Sequence, residues 1–236
     1  MKIVTDSGAD LIFSPERRKE IDVEIVPLAV NLDEKSYKEG IDIKTEAFYD
    51  LLESTTSLPT TSTPSAGEFA EIYRRLAKTD PDILSIHISS GLSGTLHSAI
   101  QGAEMVPEAN VTHFDAKTLS AAVGWMVEAA SKAIKAGWPT EKIIKLLEQI
   151  REGSNSIYTL KELKYLINGG RISHMKGLIA SMLNIKPIIG VEKEGGTYAQ
   201  LGQERTFNRA LDGLVKEMKK VHGPEKLRVQ VLHALN

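Results

Sequence analysis

The chain has no cysteine. Disulfides, thiolate zinc sites and cysteine nucleophiles are therefore excluded together. It also lacks a charge of one sign: 29 basic against 31 acidic residues leave a formal charge of −2. That excludes the basic footprint a nucleic-acid partner needs. No apolar run approaches the length of a membrane span, so an integral membrane protein is not expected. The six histidines show no H-E-x-x-H or comparable spacing, and the P-loop and G-x-G-x-x-G patterns do not occur. No metal and no cofactor are expected. The first residues, MKIVTDS, read as a strand rather than a signal peptide, and a cytoplasmic protein is the expectation.

What is present is ordinary globular composition: 236 residues, 42% hydrophobic and 25% charged. That is one large or two small domains with a real core. The organising stretch is 82–103, DILSIHISSGLSGTLHSAIQGA. Ile83, Leu84, Ile86 and Ile88 form a run of strand length, Ser89 to Thr95 a Gly/Ser-rich turn, and Leu96 to Met105 a helix. Such a turn aims free N–H groups and the positive end of a helix dipole at one point, which suits a carboxylate or phosphate. Gly91 and Gly94 would let backbone approach a ligand, with Ser89, Ser90, Ser93 and Thr95 as hydroxyl donors. The alternative is that Ser93 or Thr95 only caps the helix.

Three further strands and several helices follow from periodicity. Lys2 to Thr5 is a strand ending in the polar turn Asp6 to Asp10. Asp6 and Ser7 stand where parallel sheets place ligand groups, or else cap the segment from Pro15 to Glu20. Ile21 to Val30 is a strand region, interrupted by Pro27; Asn31 to Ile43 is a loop or short hairpin. Thr45 is the expected N-cap of a helix to Ser54. Thr60 to Ser65, bracketed by prolines, is extended, either as a solvated loop or as part of a site; Ser65 caps the next helix. Asn110 to Asp115 is a strand. Ala121 to Ala136 is a helix, and Thr140 caps another over Glu141 to Glu152. The alternation predicts an α/β fold, with a mainly parallel sheet covered by helices on both faces.

Gly153 to Ser156 reads as a boundary between a domain at 1–153 and a second, smaller α/β domain with a mixed sheet at 154–236. In the second, a short strand at Ile157 to Leu160 precedes helices at Lys161 to Ile167 and Met175 to Leu183. Pro187 to Glu192 and Thr197 to Gln203 make a hairpin. A helix runs from Phe207 to Val221, and a last strand from Leu227 to Leu232 has nothing to cover it, so the chain is expected to be cut short. A histidine such as His87 on an apolar strand reads as a hydrogen-bonded core residue.

Gly91-Leu92-Ser93-Gly94-Thr95 nearly matches the hydrolase elbow G-x-S-x-G, with Thr95 in place of the last glycine. No partner His or Asp can be assigned, so no catalytic residue is named. An esterase or phosphotransferase using the Ser93 turn is the alternative to a binding protein.

The segments MKIVTDSGADL, TSTPSAGEF, ISSGLSGT, LKYLINGGRIS and LNIKPIIGVEKEG resemble, in this order, the motifs of the DegV family of bacterial fatty-acid-binding proteins. The resemblance implies two α/β domains enclosing a long-chain fatty acid, without chemistry of their own. It implies Thr61, Ser62 and Ser93 as carboxylate ligands, with Gly94 and Thr95 shaping the turn. It places Arg171 and Arg205 near the head group or on a surface facing a fatty acid kinase, to which the bound acid is presented for acyl-phosphate formation. The segments Leu178 to Leu183 and Pro187 to Val191 are candidates for the slot wall, or else ordinary core. The family's closing His-Thr-Gly-Pro-Gly stretch, whose histidine also reaches the carboxylate, has no counterpart up to Asn236. Either the chain is truncated or the head group has one fewer partner; His233 occupies a different family position.

Overall fold

The computed structural model describes residues 1–11, 15–174 and 185–234. Its centre is a four-stranded sheet in the order β2-β1-β6-β7, parallel at every pairing. The strands are β1 (Lys2–Asp6), β2 (Val23–Val26), β6 (Asp82–His87) and β7 (Asn110–Asp115). Side chains alternate across a strand, and the two faces receive different helices. Ile3, Leu84, Ile86 and Phe114 pack with Val123, Met126, Val127, Ile143 and Leu147, from α5 (Ala121–Lys135) and α6 (Thr140–Gly153). Val4, Val26 and Ile83 pack with Phe69, Tyr73 and Ala99, from α3 (Ala66–Ala77) and α4 (Thr95–Glu104). The α/β layering expected from the sequence is therefore present.

The strand region before Asn31 is two strands. β2 ends at Val26, and β3 (Ala29–Leu32) belongs to a separate antiparallel sheet, β4-β3-β5, with β4 (Lys35–Lys38) and β5 (Thr60–Ser62). Pro27 has no N–H to continue a ladder, so the chain changes sheets there. The hydroxyl-dense segment is thus partly a paired strand. Between β4 and β5 lies α2 (Thr45–Ser54), with Lys44 rather than Thr45 at its N-cap and no side-chain cap. The N-cap of α6 is likewise Pro139 rather than Thr140. Ser65 does cap α3: its hydroxyl accepts the Glu68 N–H and the Glu68 carboxylate accepts the Ser65 N–H, a full capping box.

After a short α1 (Pro15–Glu20) in the first half, the second half holds β8 (Ile157–Thr159), α7 (Lys164–Asn168), β9 (Lys186–Val191), β10 (Tyr198–Glu204) and α8 (Phe207–His222). The sheet β10-β9-β8 is antiparallel at each pairing rather than mixed. The reason is that the segment from Leu227 to Leu232, expected as a further strand, joins no ladder. It lies against α5, where Trp125 Nε1 donates to Gln230 Oε1 at 2.9 Å and Arg228 Nη2 to Glu128 Oε2 at 3.1 Å. The helix expected over Met175 to Leu183 lies outside the described residues. Among those residues no helix is long and apolar enough to cross a membrane.

Candidate functional site

Parallel strands bring their carboxyl ends to one edge, and here three polar turns meet there. The turn after β1 touches the turn after β6 through Asp6, whose carboxylate accepts the Ile88 N–H at 3.1 Å. The turn after β7 joins them: Ser120 N–H donates to the Gly8 carbonyl and Ser89 N–H to the Thr118 carbonyl, both at 2.8 Å. Ser120 Oγ donates to Asp10 Oδ2 at 2.6 Å. Burial pushes the Asp10 carboxyl above its ordinary range, against that hydrogen bond. Asp10, Lys117 and Ser120 all hold positive φ (42°, 46° and 61°), so non-glycine strain collects at this edge.

The turn itself, Ser89 to Thr95, spends most of its hydroxyls on protein. Ser89 Oγ donates to the Gly196 carbonyl at 2.7 Å and Ser90 Oγ to Asp115 Oδ2 at 2.5 Å. Ser93 Oγ and Thr95 Oγ1 share a hydrogen bond of 2.8 Å. That bond consumes one of two hydroxyl hydrogens. Thr95 is fully buried; when it donates to Ser93, the half-buried Ser93 keeps its own hydrogen for a ligand. α4 begins at Thr95 with Gly94 as N-cap and no side-chain cap. The Thr95 N–H donates to Ser93 Oγ at 3.3 Å, and the next N–H groups of the first turn, those of Leu96 and His97, precede the first intrahelical bond, from Ser98 N–H to the Gly94 carbonyl, the geometry that binds anions. Neither Ser93 nor Thr95 is the N-cap. Gly94 is open to solvent, and a Cβ there would meet only Thr63 Cγ2 at 3.8 Å. The loop after β5 thus abuts this turn.

Gly91 serves another purpose than the ligand approach expected of it. A Cβ at Gly91 would lie 2.3 Å from the Gly195 carbonyl oxygen and 3.0 Å from Gly196. The space is filled by the tip of the β9-β10 hairpin. Glu192 organises that tip by accepting N–H bonds from Glu194, Gly195 and Thr197. Those bonds hold its carboxyl below the usual range.

Of the other expected ligands, Thr61 and Ser62 are adjacent residues of β5, so their side chains take opposite faces of the small sheet. Ser62 shares its face with Asn31, whose Nδ2 donates to it at 3.4 Å. That face borders a polar cleft of about 320 Å³ lined in part by Lys38, Thr63 and Glu68. Thr61 pairs with Val30. Arg171 comes to the turn: Nε donates to the Leu92 carbonyl at 3.5 Å and Nη1 to the Gly169 carbonyl. Arg205 is exposed in the bend between β10 and α8, with no hydrogen bond or ion pair to the turn among the described residues. Of the two slot-wall candidates, Leu178 to Leu183 lie outside the described residues. Pro187 to Val191 form β9, whose Ile189 packs with Ile172, Tyr158 and Tyr198 in a core of its own.

A Ser–His–Asp sequence of contacts does exist, but not at Ser93. Asp6 Oδ2 lies 2.9 Å from His87 Nδ1, and His87 Nε2 lies 2.6 Å from Ser85 Oγ. Ser85 Oγ lies 2.7 Å from Tyr73 OH. All four side chains are fully buried, which denies a substrate access. His87 is the hydrogen-bonded core residue expected. Ser85 and Tyr73 carry no signal of this role in the sequence, because only the register of β6 beneath α3 brings them together. Among the described residues no cluster of three or more His, Asp or Glu side chains could hold a metal.

A sequence profile described as "Uncharacterised protein, DegV family" matches residues 1–236. A DegV domain-containing protein of Staphylococcus aureus (strain MRSA252) is 37% identical over 98% of this chain and 81% of its own length. One of Halalkalibacterium halodurans is 34% identical with the same coverage. Among solved structures, a DegV family protein from Thermus thermophilus, described by its fatty-acid binding, superposes with a TM-score of 0.83 at 30% identity. It is covered over 78% of its length by 94% of this chain. DegV from Bacillus subtilis, described as a fatty acid binding protein, gives 0.83 at 32%, with 94% of this chain on 77% of that one.

Proposed function

The chain belongs to the DegV family, and from that premise we propose that it is a carrier of a long-chain fatty acid. The acid's carboxylate sits at the N-terminus of α4, beside Ser93. The observation that carries this reading is the pairing of orphan N–H groups with the spare Ser93 hydrogen, at an edge where other hydroxyls are already committed. Both solved relatives above are described as fatty-acid binders. Ser93, Gly94 and Thr95 form the head-group turn, and Arg171 supplies positive charge beside it. One of Thr61 and Ser62 adds a hydroxyl from the neighbouring strand β5, since strand geometry aims only one of them at any given side.

The physical scale agrees. The roughly fourteen methylenes of a sixteen-carbon acid contribute about 0.8 kcal/mol each on burial, about 11 kcal/mol gross. Association consumes several kcal/mol of this. The tail therefore supplies the affinity and the polar turn the orientation. In this reading residues 1–153 carry the head-group turns and 154–236 close over the acid. The exposed Arg205 marks a surface toward a cytoplasmic fatty acid kinase that receives it. Ser93 faces Thr95 rather than a base, which favours binding over acyl transfer. Organic extraction of the purified protein followed by mass spectrometry tests the proposal. About one equivalent of long-chain fatty acid per chain is expected. Hydrolysis of short acyl esters that is lost in Ser93→Ala, without bound acid, would overturn it.

A further inference from the structure

The buried Asp6 side chain makes three contacts at once. Its carboxylate accepts the Gly8 N–H at 3.0 Å and the Ile88 N–H at 3.1 Å, and faces His87 Nδ1 at 2.9 Å. The first contact folds the turn after β1, and the second fixes where β6 gives way to the turn that carries Ser93. Through His87 and Ser85 the chain of hydrogen bonds reaches Tyr73 on α3. α3 starts shortly after β5, the strand holding Thr61 and Ser62. A single neutral tautomer satisfies every link: Nδ1–H donates to Asp6, Nε2 accepts from Ser85, and Ser85 accepts from Tyr73. Burial pushes the Tyr73 hydroxyl well above its usual range, so it remains a donor. The edge of the Phe69 ring meets His87 at a centroid distance of 5.2 Å and closes the network from above. Each group is fully buried and depends on its neighbours for satisfaction, so loss of one displaces the rest.

We propose that Asp6 is the positioning residue of the head-group site. Through this sealed chain to Tyr73 it sets the relative register of the three polar turns that surround the carboxylate. The proposal rests on the fatty-acid reading above.

The test uses the full chain loaded with palmitate carrying ¹³C at its carboxyl carbon. The carboxyl resonance of the bound acid and the dissociation constant are measured for the native protein, for Asp6→Asn and for Leu147→Ala. Leu147 is buried on the opposite face of the sheet, so its variant is a control for lost stability alone. Asp6→Asn is expected to move the bound carboxyl resonance and to weaken binding at least tenfold, while Leu147→Ala leaves the resonance in place. Should Asp6→Asn not fold, Ser85→Ala, which cuts the chain between His87 and Tyr73, is read in the same way. Native protein that binds the label, with the variant's resonance and affinity matching the Leu147→Ala control, overturns the positioning role only. Native protein that takes up no label overturns the fatty-acid reading, and this role with it.

Discussion

Ser89 and Gly196 stand 107 residues apart, and the Ser89 hydroxyl donates to the Gly196 carbonyl at 2.7 Å. Gly196 has no room to be larger: a Cβ there would fall 2.1 Å from Ser89 Oγ, at a residue whose φ is +66°. The hairpin tip from the second half of the chain therefore seats directly on the turn that carries Ser93. Its position is part of how that turn is shaped.

Gly91→Ala should unseat the tip. The new methyl would meet the Gly195 carbonyl, a backbone group, with no flexible side chain to move aside. Overpacking of this kind costs roughly 1–3 kcal/mol. A lowered midpoint of chemical denaturation is expected, with fatty acid lost during purification. An unchanged midpoint would mean that the tip does not rest where it is described.

Ser93→Ala should leave the fold intact and weaken retention of the acid. A hydrogen bond to a charged group is worth about 1.5–3 kcal/mol, which corresponds to roughly ten- to 150-fold in dissociation constant. Ser90→Ala provides the contrast, because the Ser90 hydroxyl is committed to Asp115. Equal retention in the two variants, measured by displacement of a fluorescent fatty acid, would remove Ser93 from the site.

The layered core was legible because apolar periodicity is a local signal: β6, β7, α5 and α8 follow from it. Ser65 as the cap of α3 is legible because a hydroxyl just before a helical pattern is also a local signal; that Glu68 completes the box emerges only from the structure. What was not legible depends on distant chain. Nothing local in Thr60-Thr61-Ser62 announces a strand; its partner, β3, supplies the ladder. A glycine that admits a ligand and one that admits a hairpin tip look alike in sequence, so Gly91 was assigned the wrong neighbour. Asp6 and His87 lie 81 residues apart, and only the parallel pairing of β1 with β6 makes them one unit.

Acid should weaken the fold through His113. Burial, with the His87 ring nearby, holds this imidazole down at about 4, against 6.5 ordinarily. Its Nδ1 has no hydrogen-bond partner among the described residues, and its ring is T-shaped to Tyr73 with centroids 6.4 Å apart. Between those two values the unfolded chain binds a proton that the folded chain does not. Its contribution is therefore constant above about pH 6.5 and is lost as pH falls toward 4. His113→Phe should flatten this limb in a series of thermal unfolding curves from pH 4 to 7. An identical limb in the variant would assign the acid sensitivity elsewhere.

Glu128 offers the sharpest contrast between a buried charge and its exposed partners. The carboxylate is 3% exposed and accepts from Arg17, from Lys132 at 2.7 Å and from Arg228 at 3.1 Å. These partners are 44%, 69% and 59% exposed, so any one of them can be lost to solvent cheaply. Removing the carboxylate instead leaves three cations converging on one pocket and takes away one of the hydrogen bonds that hold the segment with Arg228 against α5. Breaking a buried pair costs about 3–5 kcal/mol, and the exposure of the cations puts Glu128→Ala at the low end, roughly 3 kcal/mol. Lys132→Ala, the removal of one surface partner, should cost less than about 1 kcal/mol. Urea denaturation of the two variants checks both values. Comparable losses would show that the pairs act as independent surface contacts rather than as one buried anion with three counter-charges.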